Sequence, residues 1–192
     1  RRGVTNMEKQ KYVKVLFGTT SGANSSYNYK INEVNIAPNW NPKAKSGKDF
    51  GGFNFSVPEK ILRWLHRGDT IYDVTIPEDA EVVDVVDSAT PHGVFRTNKI
   101  ILSNPRKITD DLALELYKIS TIPEQAYPKA LGAISLMNYK NTAFQILNDK
   151  VNKDNVSLYL SEWNEFMDKD ERKKANETMK MVKDKLLELS QN

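Results

Sequence analysis

Apolar and polar residues alternate over roughly the first hundred positions, and from residue 109 the apolar positions recur every three to four residues. Tyr12, Val13, Lys14, Val15, Leu16 and Phe17 make a β-rich run that stops at Gly18. Residues 18–52 are dense in Gly, Pro, Asn and Ser, which predicts long loops with one short strand at 33–36. Residues 51–56 alternate as a strand does. Ser56 is then placed to cap a helix with Pro58 in its first turn and Glu59 three residues after the cap. Ile61, Leu62, Trp64 and Leu65 give that helix an apolar stripe, and Gly68 is its expected C-cap. Further strands are predicted at 70–76, 81–86 and 94–102, the last following a turn at 89–93.

In the second half, Thr109 precedes Asp110 and Asp111, the pattern of a capped helix start, and Leu112 to Ile119 carries the helical run. Pro123 breaks it. A second helix is predicted from Pro128 through Met137, a third at 141–151, and a fourth opening at Asn155. The fourth should turn Val156, Leu158, Leu160, Trp163 and Phe166 inward. Residues 168–190 hold seven bases against six acids, with Met179, Val182, Leu186 and Leu189 on one stripe, as in a long amphipathic helix. The fold class is α+β: a small mixed or antiparallel sheet with one packed helix, then a C-terminal helical appendage. Its divisions are a flexible N-terminus (1–11), a β-rich α+β domain (12–108), a helical subdomain (109–167) and the amphipathic C-terminal helix (168–192).

Composition narrows the chemistry. The 192 residues include no cysteine, which excludes disulfides, thiolate metal ligands and a cysteine nucleophile. Two histidines, His66 and His92, make a histidine-based metal site improbable, so no metal is expected. No apolar run approaches the ~20 residues of a membrane span, and residues 1–10 have no apolar stretch of the signal-peptide kind. The expected location is cytoplasmic, with no membrane partner. Net charge is +3, unevenly spread: residues 1–49 hold nine Lys and Arg against three acids. Such a basic third suits phosphates, an anionic cofactor or nucleic acid, although the bases are scattered as on an ordinary solvated surface.

Several residues are candidates for a site. The turn Phe17-Gly18-Thr19-Thr20-Ser21-Gly22 has small residues and hydroxyls suited to wrapping a phosphate, but lacks the Gly-Lys-Ser/Thr of a P-loop. Tyr27, Tyr29 and Trp40 lie in polar loops, where an aromatic stacks on a base or nicotinamide ring or packs the loop onto the sheet. Arg96, on the strand beside Phe95, suits either a ligand phosphate or a surface ion pair. His92 sits in a turn and His66 at a helix end, both ordinary structural positions.

The order of Tyr27-Asn28-Tyr29-Lys30, Gly51-Gly52-Phe53-Asn54-Phe55, the Pro58 helix, Ile71-Tyr72-Asp73-Val74-Thr75-Ile76-Pro77 and Arg96-Thr97-Asn98-Lys99-Ile100-Ile101-Leu102 resembles a particular uncharacterised domain. That domain precedes ankyrin repeats in giant-virus proteins and has bacterial and phage relatives. Ala130-Leu131-Gly132-Ala133-Ile134 with Thr142-Ala143-Phe144-Gln145-Ile146-Leu147 is similar to a worn ankyrin helix pair. This resemblance spans about residues 12–165 and implies no activity. A more partial likeness is to small ADP-ribosyltransferases of the rifampin-modifying kind, through Leu16-Phe17-Gly18-Thr19, Gly52-Phe53-Asn54-Phe55-Ser56 and Ile71-Tyr72-Asp73-Val74. It implies NAD as cofactor, with Gly18, Thr19, Tyr29 and Phe55 binding it and Ser56 and Arg96 as the catalytic candidates. Phe17 stands where that family has its NAD-binding histidine, and no acid lies at 94–102, so the usual support for an oxocarbenium-like sugar is missing.

Two readings follow. The first is an ADP-ribosyltransferase-like domain passing ADP-ribose from NAD to a macromolecule, of the toxin or phage–host-conflict type. The alternative is a non-enzymatic protein-interaction module, holding a protein partner through the C-terminal helix.

Overall fold

The computed structural model describes residues 10–21, 27–47, 49–86, 90–165, 167–169 and 176–192. The architecture is α+β. Strands β1 (Tyr12–Leu16), β2 (Val34–Ile36), β4 (Thr70–Thr75) and β7 (Lys99–Lys107) form an antiparallel sheet in the order β1-β4-β7-β2. Strands β3 (Phe53–Phe55), β5 (Val82–Asp84) and β6 (Phe95–Thr97) form a second antiparallel sheet in the order β3-β6-β5. Two backbone hydrogen bonds between Val13 and Ser56 tie the edge of β1 to the end of β3 and join the sheets.

Side-chain alternation on β1 assigns its residues to two separate cores. Val13 and Val15 face the helices, packing with Ile61, Leu62, Leu65 and Ile71. Tyr12 and Leu16 face the opposite way, into an aromatic interior with Tyr29, Phe53, Phe55, Tyr72, Ile100 and Leu102. Lys14 has the parity of Tyr12 and Leu16 and is itself buried, at 3% exposure. The edge faces of the aromatic cluster meet at sensible ring geometry: Phe55 stacks on Phe95 at 5.4 Å and Tyr12 meets Phe55 edge-on at 5.2 Å.

Helices α1 (Asp110–Ile119), α2 (Tyr127–Leu136), α3 (Lys140–Lys150), α4 (Val156–Glu165) and α5 (Glu177–Ser190) lie beyond the 3-10 stretch Leu62–Arg67, which packs between α2 and β1 and joins them in one core. Thr109 caps α1 as expected, its Oγ1 accepting from Leu112 N at 3.2 Å. Helix α2 is apolar nearly all round because it is enclosed by its neighbours. On α5, Met179, Val182 and Leu186 are buried against the other helices, so the stripe expected to grip a partner fills the protein's own core. The helices and β1 thus share one core, and residue 108 marks a change of secondary structure rather than of core.

Several expectations need correction. The segment after Ser56 forms two 3-10 stretches, Pro58–Lys60 and Leu62–Arg67, not an α-helix. Ser56 caps neither, because its hydroxyl donates to Gly93 O at 2.6 Å. Gly68 has extended backbone (φ 178°) rather than the left-handed cap conformation. It is needed for space: a Cβ there would stand 2.2 Å from the Leu16 carbonyl. The strand expected at 94–102 is two strands broken at Asn98, and β7 runs on to Lys107. Leu158 on α4 is exposed, whereas Tyr159 is buried in its place. The long C-terminal helix is described from Glu177. Residues 170–175, like Phe166, Gly22 and positions 1–9 of the expected flexible N-terminus, lie outside the described residues. Among the described residues no helix is long and apolar enough to cross a membrane.

Candidate functional site

A cavity of about 340 Å³ opens where β1, β3, β6 and the 3-10 stretches meet. Its apolar lining comes from Val15, Phe55, Ile61, Trp64 and Val94. Its charged lining consists of Lys14, Arg67 and Arg96, and no carboxylate contributes to the wall among the described residues. Ser21, Asn54 and Ser56 complete the polar part.

Lys14 is the centre of this arrangement. The β1 alternation turns it into the interior, and its Nζ donates to both Asn54 O and Asn54 Oδ1 at 2.5 Å. The Tyr29 ring lies beside it, with its centroid 5.3 Å from Nζ. Both acceptors on Asn54 are neutral. The described residues place no carboxylate within ion-pair distance of this amine, a rare situation for a buried lysine. Burial, helped by the nearby Arg96 guanidinium, pulls the Lys14 ammonium from 10.5 down to about 7.

Arg96 is delivered by the β3–β6 ladder, which sets Asn54 directly opposite it. Its Nη1 donates to Gly51 O at 3.0 Å, while its buried Nε–H has no acceptor. Burial lowers the Arg96 pKa, an effect the neighbouring Tyr29 partly opposes. Tyr29 is pushed up by burial and by Tyr27, against a smaller downward pull from Arg96, so its phenol stays protonated. The buried indole N–H of Trp64 also lacks an acceptor. Its ring has the Arg63 guanidinium 4.3 Å and the Arg67 guanidinium 5.9 Å from its centroid. The cavity therefore gathers donors and positive charge round an aromatic and aliphatic floor. Chemically it is built to receive acceptors.

The structure brings three of the sequence-derived candidates together here: Phe55, Ser56 and Arg96 all line the cavity. Tyr29 sits behind them against Lys14. Gly18 and Thr19 do not contribute to the lining. Gly18, at φ 58°, makes a tight turn closed by Phe17 and Thr20, and its N–H donates to Asp69 Oδ1 at 3.2 Å. Its carbonyl accepts from Tyr72 OH at 2.6 Å, and the Thr19 hydroxyl donates to Asn28 Oδ1. A carboxylate at that N–H is the opposite of a phosphate cradle. The Ser56 proton is committed to Gly93 O, and among the described residues no base is hydrogen-bonded to its oxygen. His92 pairs with Asp84 at 2.7 Å at the surface, and Trp40 donates to Glu81 at 3.1 Å. Sequence reasoning missed Lys14. The available signal was its parity with Tyr12 and Leu16, which places a charge on a face otherwise made of large apolar side chains.

No protein-family model matches the chain, and no match was found among curated proteins or solved structures.

Proposed function

We propose that this domain binds a small anionic ligand, phosphate- or carboxylate-bearing with a planar or apolar part, in the cavity walled by Lys14, Arg67 and Arg96. The observation that carries this reading is Lys14: a buried amine beside a guanidinium, with neutral hydrogen-bond partners and no acid in the cavity wall. An entering anion supplies the missing counter-charge, and the orphan Nε–H of Arg96 offers it a charge-assisted hydrogen bond. At about 340 Å³ the cavity lies at the small end of the ~300–1,000 Å³ range of ligand sites. A mononucleotide, or one half of a dinucleotide such as NAD, is the size that suits it.

ADP-ribosyl transfer is the narrower version of this reading, supported by the meeting of Phe55, Ser56 and Arg96. Its transition state puts positive charge on the sugar, and a wall of cations opposes that. We therefore put binding ahead of transfer. Titration calorimetry with NAD, ADP-ribose and AMP, with nicotinamide assayed in the same samples, tests both. At least one ligand should bind the wild type and lose tenfold or more in affinity with Arg96→Met. Equal affinity for wild type and variant overturns the assignment, and nicotinamide release by the wild type alone would restore the transferase.

A further inference from the structure

We infer that Lys14 is an imine-forming amine, and that the ligand class of this cavity is an anion bearing an aldehyde or ketone. This deepens the anion-binding reading and rests on it. Lys14 lines the cavity together with Val15, Phe55, Ile61, Trp64 and Val94, and the walls also include Arg67 and Arg96. Structural lysines at protein surfaces are held by carboxylates, which keep them protonated and unreactive. Lys14 has instead the backbone carbonyl and the side-chain carbonyl of one residue, Asn54. A neutral amine that gives its two hydrogens to these oxygens keeps its lone pair for another partner. A desolvated lysine next to a second cation is the environment in which lysine acts as a nucleophile near neutral pH.

The chemistry balances within the protein and the ligand. The Lys14 nitrogen lone pair attacks the carbonyl carbon. A C–N bond forms, the C=O π pair moves to oxygen, and that oxygen takes up a proton. The nitrogen gives up one hydrogen to solvent as the carbinolamine forms. The hydroxyl then takes a second proton from solvent and leaves as water, and the nitrogen releases its remaining hydrogen to solvent, leaving a C=N bond. Arg96 is placed to hold the anionic group while this happens, through the Nε–H that has no acceptor of its own.

The experiment uses pyridoxal phosphate, an aldehyde with an aromatic ring and a phosphate, and cyanoborohydride, which reduces the imine to a stable secondary amine. Peptide mass spectrometry then locates the adduct. At pH 7 the peptide bearing Lys14 should be labelled at least tenfold faster than any other lysine-bearing peptide. Lys14→Met should remove that adduct while circular dichroism shows the fold retained. The labelling should rise through pH 7, near the value to which burial lowers this amine, whereas exposed lysines require far more alkaline solution. Pyridoxine phosphate, which has the phosphate but an alcohol in place of the aldehyde, reports on binding without imine chemistry. If it binds in the calorimeter while the adducts scatter over surface lysines, the imine is overturned and the anion site stands. If it does not bind and no adduct favours Lys14, both fall.

Discussion

Replacing Lys14 by Met tests the electrostatic reasoning directly, because the two states of folding hold the lysine proton with different strength. In the unfolded chain the amine titrates at 10.5, and in the folded protein at about 7. The folded pKa is the lower one, so the unfolded state binds more protons between those values and stability rises with pH across that window. Below pH 7 the folded protein carries the full cost of a buried ammonium. That cost is about 5 kcal/mol, from 3.5 units at 1.36 kcal/mol each. By pH 9.5 the lysine in the folded protein is neutral, and only about 1.5 kcal/mol of the cost remains. Methionine has similar length and no charge to bury. It also removes the donor to the two Asn54 oxygens, a penalty of about 1–3 kcal/mol each at most, and one independent of pH. The measurable quantity is therefore the change in the stability gap between Lys14→Met and wild type. Urea unfolding in buffers free of phosphate should show the variant losing about 3 kcal/mol of its relative stability between pH 6 and pH 9.5. A gap constant to within about 0.5 kcal/mol would refute the account of Lys14 as a desolvated, uncompensated cation.

Two further changes probe how the helices and sheet are held. Asp110 accepts from Asn141 N at 2.9 Å and from Thr142 N at 3.0 Å, and so caps α3 from the start of α1. Asp110→Ala should cost about 2 kcal/mol, seen as a lower urea midpoint with an unchanged slope. Gly68→Ala drives a Cβ into the backbone of Leu16, a fully buried residue of β1, and should cost about 3 kcal/mol. A midpoint equal to wild type in thermal or urea unfolding would show that β1 can shift to make room.

Much of the fold was legible in the chain, and the limits have physical causes. The alternation at 70–76 and the stripe of Met179, Val182 and Leu186 are local patterns, and each was realised as β4 or α5. The segment 58–67 was ambiguous because buried residues three apart, such as Leu62 and Leu65, suit a 3-10 turn as well as an α-helix. Arg96, Phe55 and Ser56 could be singled out by type and neighbourhood. The site around Lys14 could not be assembled that way. Its amine is completed by Asn54, 40 positions along the chain, and by Arg96 across a ladder whose register no local signal fixes. Lys14, like Asn35 between the exposed Val34 and Ile36, is a position where polarity opposes the pattern of burial.

The double duty of β1 has a consequence for how the chain acquires its structure. Val13 and Val15 belong to the core that the helices beyond residue 109 complete, with Leu62 and Leu65 in between, while Tyr12 and Leu16 require partners up to Leu102. β1 precedes every one of these partners in the chain and is therefore among the last of the strands described to be enclosed on both sides. A fragment ending at residue 108 would uncover the side of the Leu62–Arg67 stretch that α1 and α2 pack against, Leu62 and Leu65 included, a surface that drives self-association. The two cores should therefore melt as one cooperative unit, which coincident urea transitions by tryptophan fluorescence and far-ultraviolet circular dichroism would show.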